Sequence, residues 1–123
     1  MMTIQITRPL HTAILVSDLA QAERFYGHIL GLQRCDRALK YPGLWYQIGD
    51  YQLHLIQDTT APSGVHNLDK LGRNRHVAFA VADLEATQAT LQAQGCPVQR
   101  SASGRAALFT HDPDGNVVEL TEL

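Results

Sequence analysis

The stretches HTAILVSDL (His11–Leu19) and HVAFAVADL (His76–Leu84) lie 65 residues apart and are identical at five of nine positions. Each opens on a histidine, runs through apolar β-type residues and ends in Asp-Leu, where a helix can start. In the first copy Pro9 stands where a strand, Leu10 to Val16, begins without losing a ladder hydrogen bond. Ser17-Asp18 offers an N-cap, Gln21 sits at capping-box spacing, and Leu19, Ala22, Tyr26 and Ile29 recur at helical intervals until Gly31. The pattern predicts an amphipathic helix of about three turns. Leu44 to Ile48 and Tyr51 to Gln57 flank the turn signal Gly49-Asp50 and predict a hairpin.

The second copy repeats this grammar: a strand His76 to Ala82, an Asp83 cap, a helix through Leu84, Ala89 and Leu91, and a stop at Gly95. A strand near Ala106 to Thr110, the turn Asp112-Pro113-Asp114-Gly115 and a last strand Asn116 to Thr121 follow. The offset of 65 also lays Leu53 on Val118, Leu55 on Leu120 and Gly49-Asp50 on Asp114-Gly115, so strand, helix and hairpin are all duplicated. The expectation is one domain of two repeat modules, about residues 5–57 and 74–123, joined by a polar connection over 58–73.

A length of 123 residues, 45% of them hydrophobic, supports a single sizeable core. Ten Lys plus Arg against twelve Asp plus Glu leave a net charge of −2, which gives no grip on a polyanion, so nucleic acid is not an expected partner. The longest apolar run, Val77 to Ala82, falls far short of the roughly 20 residues of a spanning helix, and no basic-then-apolar leader opens the chain. Neither membrane insertion nor export is expected. Cys35 and Cys96 lie outside any C-x-x-C spacing, which argues against a disulfide framework or a thiol zinc knot and suits a reducing cytoplasm.

The same offset places His11 on His76 and His54 on Glu119. All four sit inside otherwise apolar strands, and period-2 alternation groups His11 with Ala13 and Leu15, His76 with Ala78 and Ala80, and Glu119 with Val117 and Thr121. Unpartnered, such groups would cost several kcal/mol on burial, so they are expected to pair or to bind a metal. If the halves pack about a pseudo-twofold axis, equivalent residues can converge on it, either within one chain or, as the preferred expectation, across a dimer whose exposed module edges need covering; imidazoles with one carboxylate suit a divalent transition metal with open positions. Affinity order alone does not choose among Zn, Ni, Mn and Fe. His28, His66 and His111 have no repeat partner of matching type and are read as ordinary surface or loop residues.

At this point the sequence resembles the vicinal oxygen chelate superfamily, which includes glyoxalase I, fosfomycin-resistance thiol transferases, extradiol dioxygenases, methylmalonyl-CoA epimerase and bleomycin-binding proteins. The resemblance rests on His11 with its strand and Asp18-Leu19, Phe25-Tyr26 with Leu30-Gly31, His76-Val-Ala-Phe, and Asp112-Pro-Asp-Gly-Asn-Val-Val-Glu119-Leu. It implies an α+β fold of two βαβββ modules forming a cupped mixed sheet with helices outside, commonly in a homodimer. It also implies metal ligands at His11, His76 and Glu119, with a fourth, where used, at His54. A substrate chelated through adjacent oxygens then meets a Lewis acid, with Glu119 or His54 as the base.

Departures bear on the reaction. Where glyoxalase I commonly has a second glutamate this chain has His54, where it has an arginine near the first ligand this chain has Leu15, and Phe109 stands where several thiol transferases and dioxygenases carry a tyrosine. The expectation is a metal-dependent enzyme, lactoylglutathione lyase-like or dioxygenase-like, acting on a small organic molecule. The alternatives are a bleomycin-resistance-type binding protein without catalysis and a fosfomycin-type thiol transferase. Trp45, Phe109 and Arg105 are expected to wall the substrate cavity, and Arg73 and Arg75 are further candidates for holding an acidic group.

Overall fold

The computed structural model describes residues 2–37 and 40–123. Residues 2–10 precede the first strand as an exposed arm carrying Ile4 and Ile6. Strand β1 (His11–Val16) leads into helix α1 (Leu19–Glu23), then β2 (Gln33–Cys35), β3 (Gly43–Ile48) and β4 (Tyr51–Gln57). The second module repeats the order with β5 (His76–Val81), α2 (Leu84–Ala93), β6 (Gln99–Arg100), β7 (Ala107–His111) and β8 (Val117–Glu122). Each module forms a four-stranded mixed sheet, ordered β1-β4-β3-β2 and β5-β8-β7-β6, in which the first and last long strands run parallel. The expected α+β architecture of two βαβββ modules is therefore the observed one. No helix among the described residues is long and apolar enough to cross a membrane.

The caps act as the sequence suggests: the Asp18 carboxylate accepts from Gln21 N at 2.9 Å and that of Asp83 from Ala86 N at 3.0 Å. The first helix departs from the simple pattern, because after one α turn it widens into a π-helical turn over Arg24–Ile29. That widening lets the neighbours Phe25 and Tyr26 both enter the core, which a regular helical step of about 100° disfavours. The Tyr26 hydroxyl donates to Asp112 Oδ2 at 2.7 Å, tying the first helix to the last hairpin turn.

Alternation decides which side of each sheet is covered. Ile14, Val16, Leu44, Tyr46, Leu53 and Leu55 from the first sheet and Leu108, Val118 and Leu120 from the second join Phe25, Tyr26, Leu84 and Leu91 from the helices in one shared core. The opposite faces carry His11, His54 and Trp45 in one module and His76, Phe109 and Glu119 in the other. Ala13, Leu15, Ala78 and Ala80 leave much of those faces exposed. On the second of them the connection between modules folds back, so that Val65 and Leu71 pack on Phe109 and Val117.

Candidate metal centre

The pleat and the register fix where the four repeat-related residues stand. In the first sheet Ala13 pairs with His54 across the parallel β1–β4 ladder, and Trp45 lies opposite His54 on β3. In the second, Ala78 pairs with Glu119, and Phe109 lies opposite Glu119 on β7. Trp45 and Phe109 thus occupy equivalent places although their numbers differ by 64 rather than 65. The second hairpin closes over residues 112–116, whereas the first closes over Gly49 and Asp50 alone.

His76 and Glu119 meet directly: Nε2 and Oε1 are 3.4 Å apart. The other ring nitrogen of His76, Nδ1, donates to the Asn74 carbonyl at 2.7 Å, which fixes the ring plane and turns Nε2 toward the carboxylate. Asn74 is itself fixed, its side-chain oxygen accepting from His66 N and Asn67 N and its nitrogen donating to the Asn67 and Leu71 carbonyls. Glu119 accepts from the Thr121 hydroxyl at 2.7 Å and has Arg105 Nη1 at 3.6 Å. Burial opposes its ionisation, but Thr121, Arg105 and His76 outweigh that and hold its carboxyl below the ordinary range. The edge of Phe109 meets the His76 ring, centroids 5.5 Å apart.

The other pair is built around Trp45. Its indole stacks on the His54 imidazole, centroids 3.9 Å apart and planes within 9° of parallel, and His11 meets it edge-on at 5.2 Å. The Arg37 guanidinium lies 4.1 Å above the indole. Burial, with His11 and Arg37 adding to it, lowers the His54 pKa, so its imidazole is predominantly neutral at neutral pH. His54 Nε2 is buried with no hydrogen-bond partner among the described residues, a deficit that costs about 1–3 kcal/mol unless something fills it.

Of the two arrangements the sequence left open, the structure of one chain keeps the four residues in two separate pairs. His11 approaches His54, ring centroids 6.5 Å apart, and His76 meets Glu119, but each pair keeps to its own sheet. Among the described residues no three His, Cys, Asp or Glu side chains come close enough together to hold a metal. The physical reason is that both helices pack into the shared core, so the face left open on each sheet carries one pair of the four residues. Trp45, Phe109 and Arg105 do stand beside these half-sites. Sequence reasoning missed Asn74, Thr121 and Arg37; only Thr121 gave a signal, by sharing the face of Glu119 two residues away.

Comparison with known proteins matches this architecture. The family model described as Glyoxalase/Bleomycin resistance protein/Dioxygenase superfamily matches residues 8–120. The lactoylglutathione lyase of Haemophilus influenzae is 30% identical over 125 residues, covering 92% of this chain and 90% of that protein. A glyoxalase family protein from Bacillus anthracis superposes with a TM-score of 0.79 at 22% identity, covering 98% of each chain. TnmS3, an antibiotic binding protein from Streptomyces sp. CB03234, does so with a TM-score of 0.74 at 24% identity, again covering 98% of each chain. With a duplicated βαβββ module and a family match across residues 8–120, the chain belongs to the Glyoxalase/Bleomycin resistance protein/Dioxygenase superfamily.

Proposed function

We propose that this protein is a cytoplasmic metal-dependent enzyme that acts on a small organic substrate through oxygens held at the metal. In this reading His11 and His54 of one chain and His76 and Glu119 of a second copy complete one site in a homodimer. The observation that carries the reading is the His76–Glu119 pair, whose Nε2 and Oε1 lie 3.4 Å apart with Nδ1 of the imidazole anchored to the Asn74 carbonyl on the far side. That arrangement would offer a cation an imidazole nitrogen and a carboxylate oxygen side by side, both oriented by neighbours. The orphaned Nε2 of the neutral His54 suits the same role, and the exposed Ala13, Leu15, Ala78 and Ala80 supply apolar surface for a second copy to cover.

A divalent cation bound there supplies Lewis acidity to the substrate's oxygens. The remaining work falls to the chain. Glu119 accepts a proton at a carboxylate oxygen, and Thr121 and Arg105 hold that oxygen in place. His54 offers a neutral nitrogen as the alternative base, its plane set by the Trp45 indole. Trp45 and Phe109 keep water from the two half-sites. The reaction type favoured is lyase or isomerase, in keeping with the 30% identical lactoylglutathione lyase; a dioxygenase reaction would draw on the same ligand set.

The test is elemental analysis of protein purified without an affinity tag, with His76→Ala beside it. Wild type should take up about one divalent ion per chain from added Mn, Fe, Ni or Zn, and the variant should lose that ion. Absence of uptake from all four would overturn the metal reading and leave binding without catalysis, the alternative that the likeness to TnmS3 supports.

A further inference from the structure

A cleft of about 510 Å³ opens beside the His76–Glu119 pair and shares Phe109 and Arg105 with it. Lys70, Arg73, Arg100 and Arg105 line it against a single acid, Asp69. Arg100 is committed elsewhere, its Nη1 2.9 Å from both Glu85 and Gln88. Arg105 is turned toward Glu119, while Lys70 and Arg73 have no acidic partner within 4.0 Å among the described residues. The cleft therefore holds unneutralised positive charge in a chain whose overall charge is −2.

Its wall is fixed in place. Gln99 reaches across from β6, accepting from Leu71 N at 2.7 Å and donating to the Asp69 carbonyl at 3.0 Å. Lys70 N donates to Asn67 Oδ1 at 2.9 Å, and Arg73 N to the Lys70 carbonyl at 3.0 Å. Gly72 lies so close to Phe109 that an added Cβ would stand 2.7 Å from Cζ, which seats the turn bearing Lys70 and Arg73 directly on the ring that abuts His76. Two cations without an acidic partner among the described residues thus stand on a turn whose backbone is braced, and the arginine fork suits the paired oxygens of a carboxylate or phosphate.

We propose that this cleft binds the anionic end of the substrate, a carboxylate or phosphoryl group held by Arg73 and Lys70, while the other end of the molecule reaches Glu119 and His76. This rests on the enzyme reading above for the second half of that statement only; anion binding at the cleft stands independently of any metal. The favoured substrate class is thus a small organic anion with its reacting oxygens remote from the charged group.

The test is a titration of metal-free, 15N-labelled protein followed by NMR, with inorganic phosphate, succinate and neutral succinamide as probes. Phosphate or succinate should move the amides of Gly72, Arg73 and Ser101 to Arg105, and succinamide should not. The anion that acts at lower concentration identifies the group as phosphoryl or carboxylate. Lys70→Gln with Arg73→Gln should weaken binding by about 10- to 100-fold, the loss of one or two charge-assisted contacts. Arg34→Gln, an exposed cation of the other module, should leave it unchanged. Shifts spread over the surface, equal response to succinamide, or full affinity in the double variant would overturn the proposal. Because the protein is metal-free throughout, anion binding without metal uptake would sink the enzyme reading alone, and metal uptake without anion binding would sink this one alone.

Discussion

Tyr26→Phe removes one hydroxyl from a fully buried ring and keeps its packing, so it isolates the bond to Asp112 Oδ2. Asp112 also accepts from Asp114 N and Asn116 N at Oδ1, and from Asn116 Nδ2 at Oδ2, each at 2.9 Å, so the carboxylate is weakened but not stranded. A hydrogen bond to a charged acceptor contributes about 1.5–3 kcal/mol, and that is the expected loss. For a domain of this size it corresponds to a Tm lower by about 5–15 °C. The assay is urea unfolding followed by the fluorescence of Trp45, the one tryptophan, at a fixed protomer concentration, with the midpoint falling and the slope unchanged. Burial raises the Asp112 pKa, and the Tyr26 bond is among the contacts that oppose the rise. A raised carboxyl pKa contributes stability that is present below the ordinary carboxylate range and lost as pH climbs through the raised value. Removing Tyr26 raises it further, so the gap between wild type and variant should widen from acid to neutral pH. A loss below about 0.5 kcal/mol, within the range of an ordinary surface substitution, or a gap that narrows with rising pH would refute the tie between modules.

Other substitutions probe the half-sites. Gly72→Ala would place its Cβ 2.7 Å from the Phe109 ring and should cost about 1–3 kcal/mol in thermal unfolding, with metal uptake falling because Phe109 abuts His76. Trp45→Phe removes a buried indole nitrogen that has no partner among the described residues, so calorimetry should show a change of at most about 1 kcal/mol, far below the 3–5 typical of truncating a buried tryptophan. Above about pH 10 the unfolded chain ionises Tyr26 while burial and Asp112 keep the folded group protonated, so stability should fall there in wild type and less steeply in Tyr26→Phe.

The modules were legible because their signals are local and repeated. The Asp18 and Asp83 caps, the apolar alternation and the 65-residue offset give strand, helix and hairpin without tertiary information. Strands β2 and β6, with three and two residues, are too short for any periodicity to announce them and exist because a neighbouring strand pairs with them. The π-helical turn answers to the core's demand for both Phe25 and Tyr26, a tertiary requirement that helical spacing does not encode. The turn at Asp112 reads as plain turn chemistry, yet Asp112 is buried and bonded to residues on both sides of the module boundary. At the site, the repeat pointed to His11, His54, His76 and Glu119 but was silent on which faces the core would cover, and that division separates the two pairs within one chain.

The most direct test of the composite centre is complementation. One variant, His11→Ala with His54→Ala, keeps only the second half-site, and another, His76→Ala with Glu119→Ala, keeps only the first; neither alone should hold metal. After mixing under conditions that exchange subunits, half of the dimers would be mixed, each with one intact site, so metal should return at about one ion per four chains. No recovery of metal in a sample shown by mass spectrometry to contain the mixed dimer, or a stable monomer of wild type that still holds an ion, would contradict a site shared between two copies.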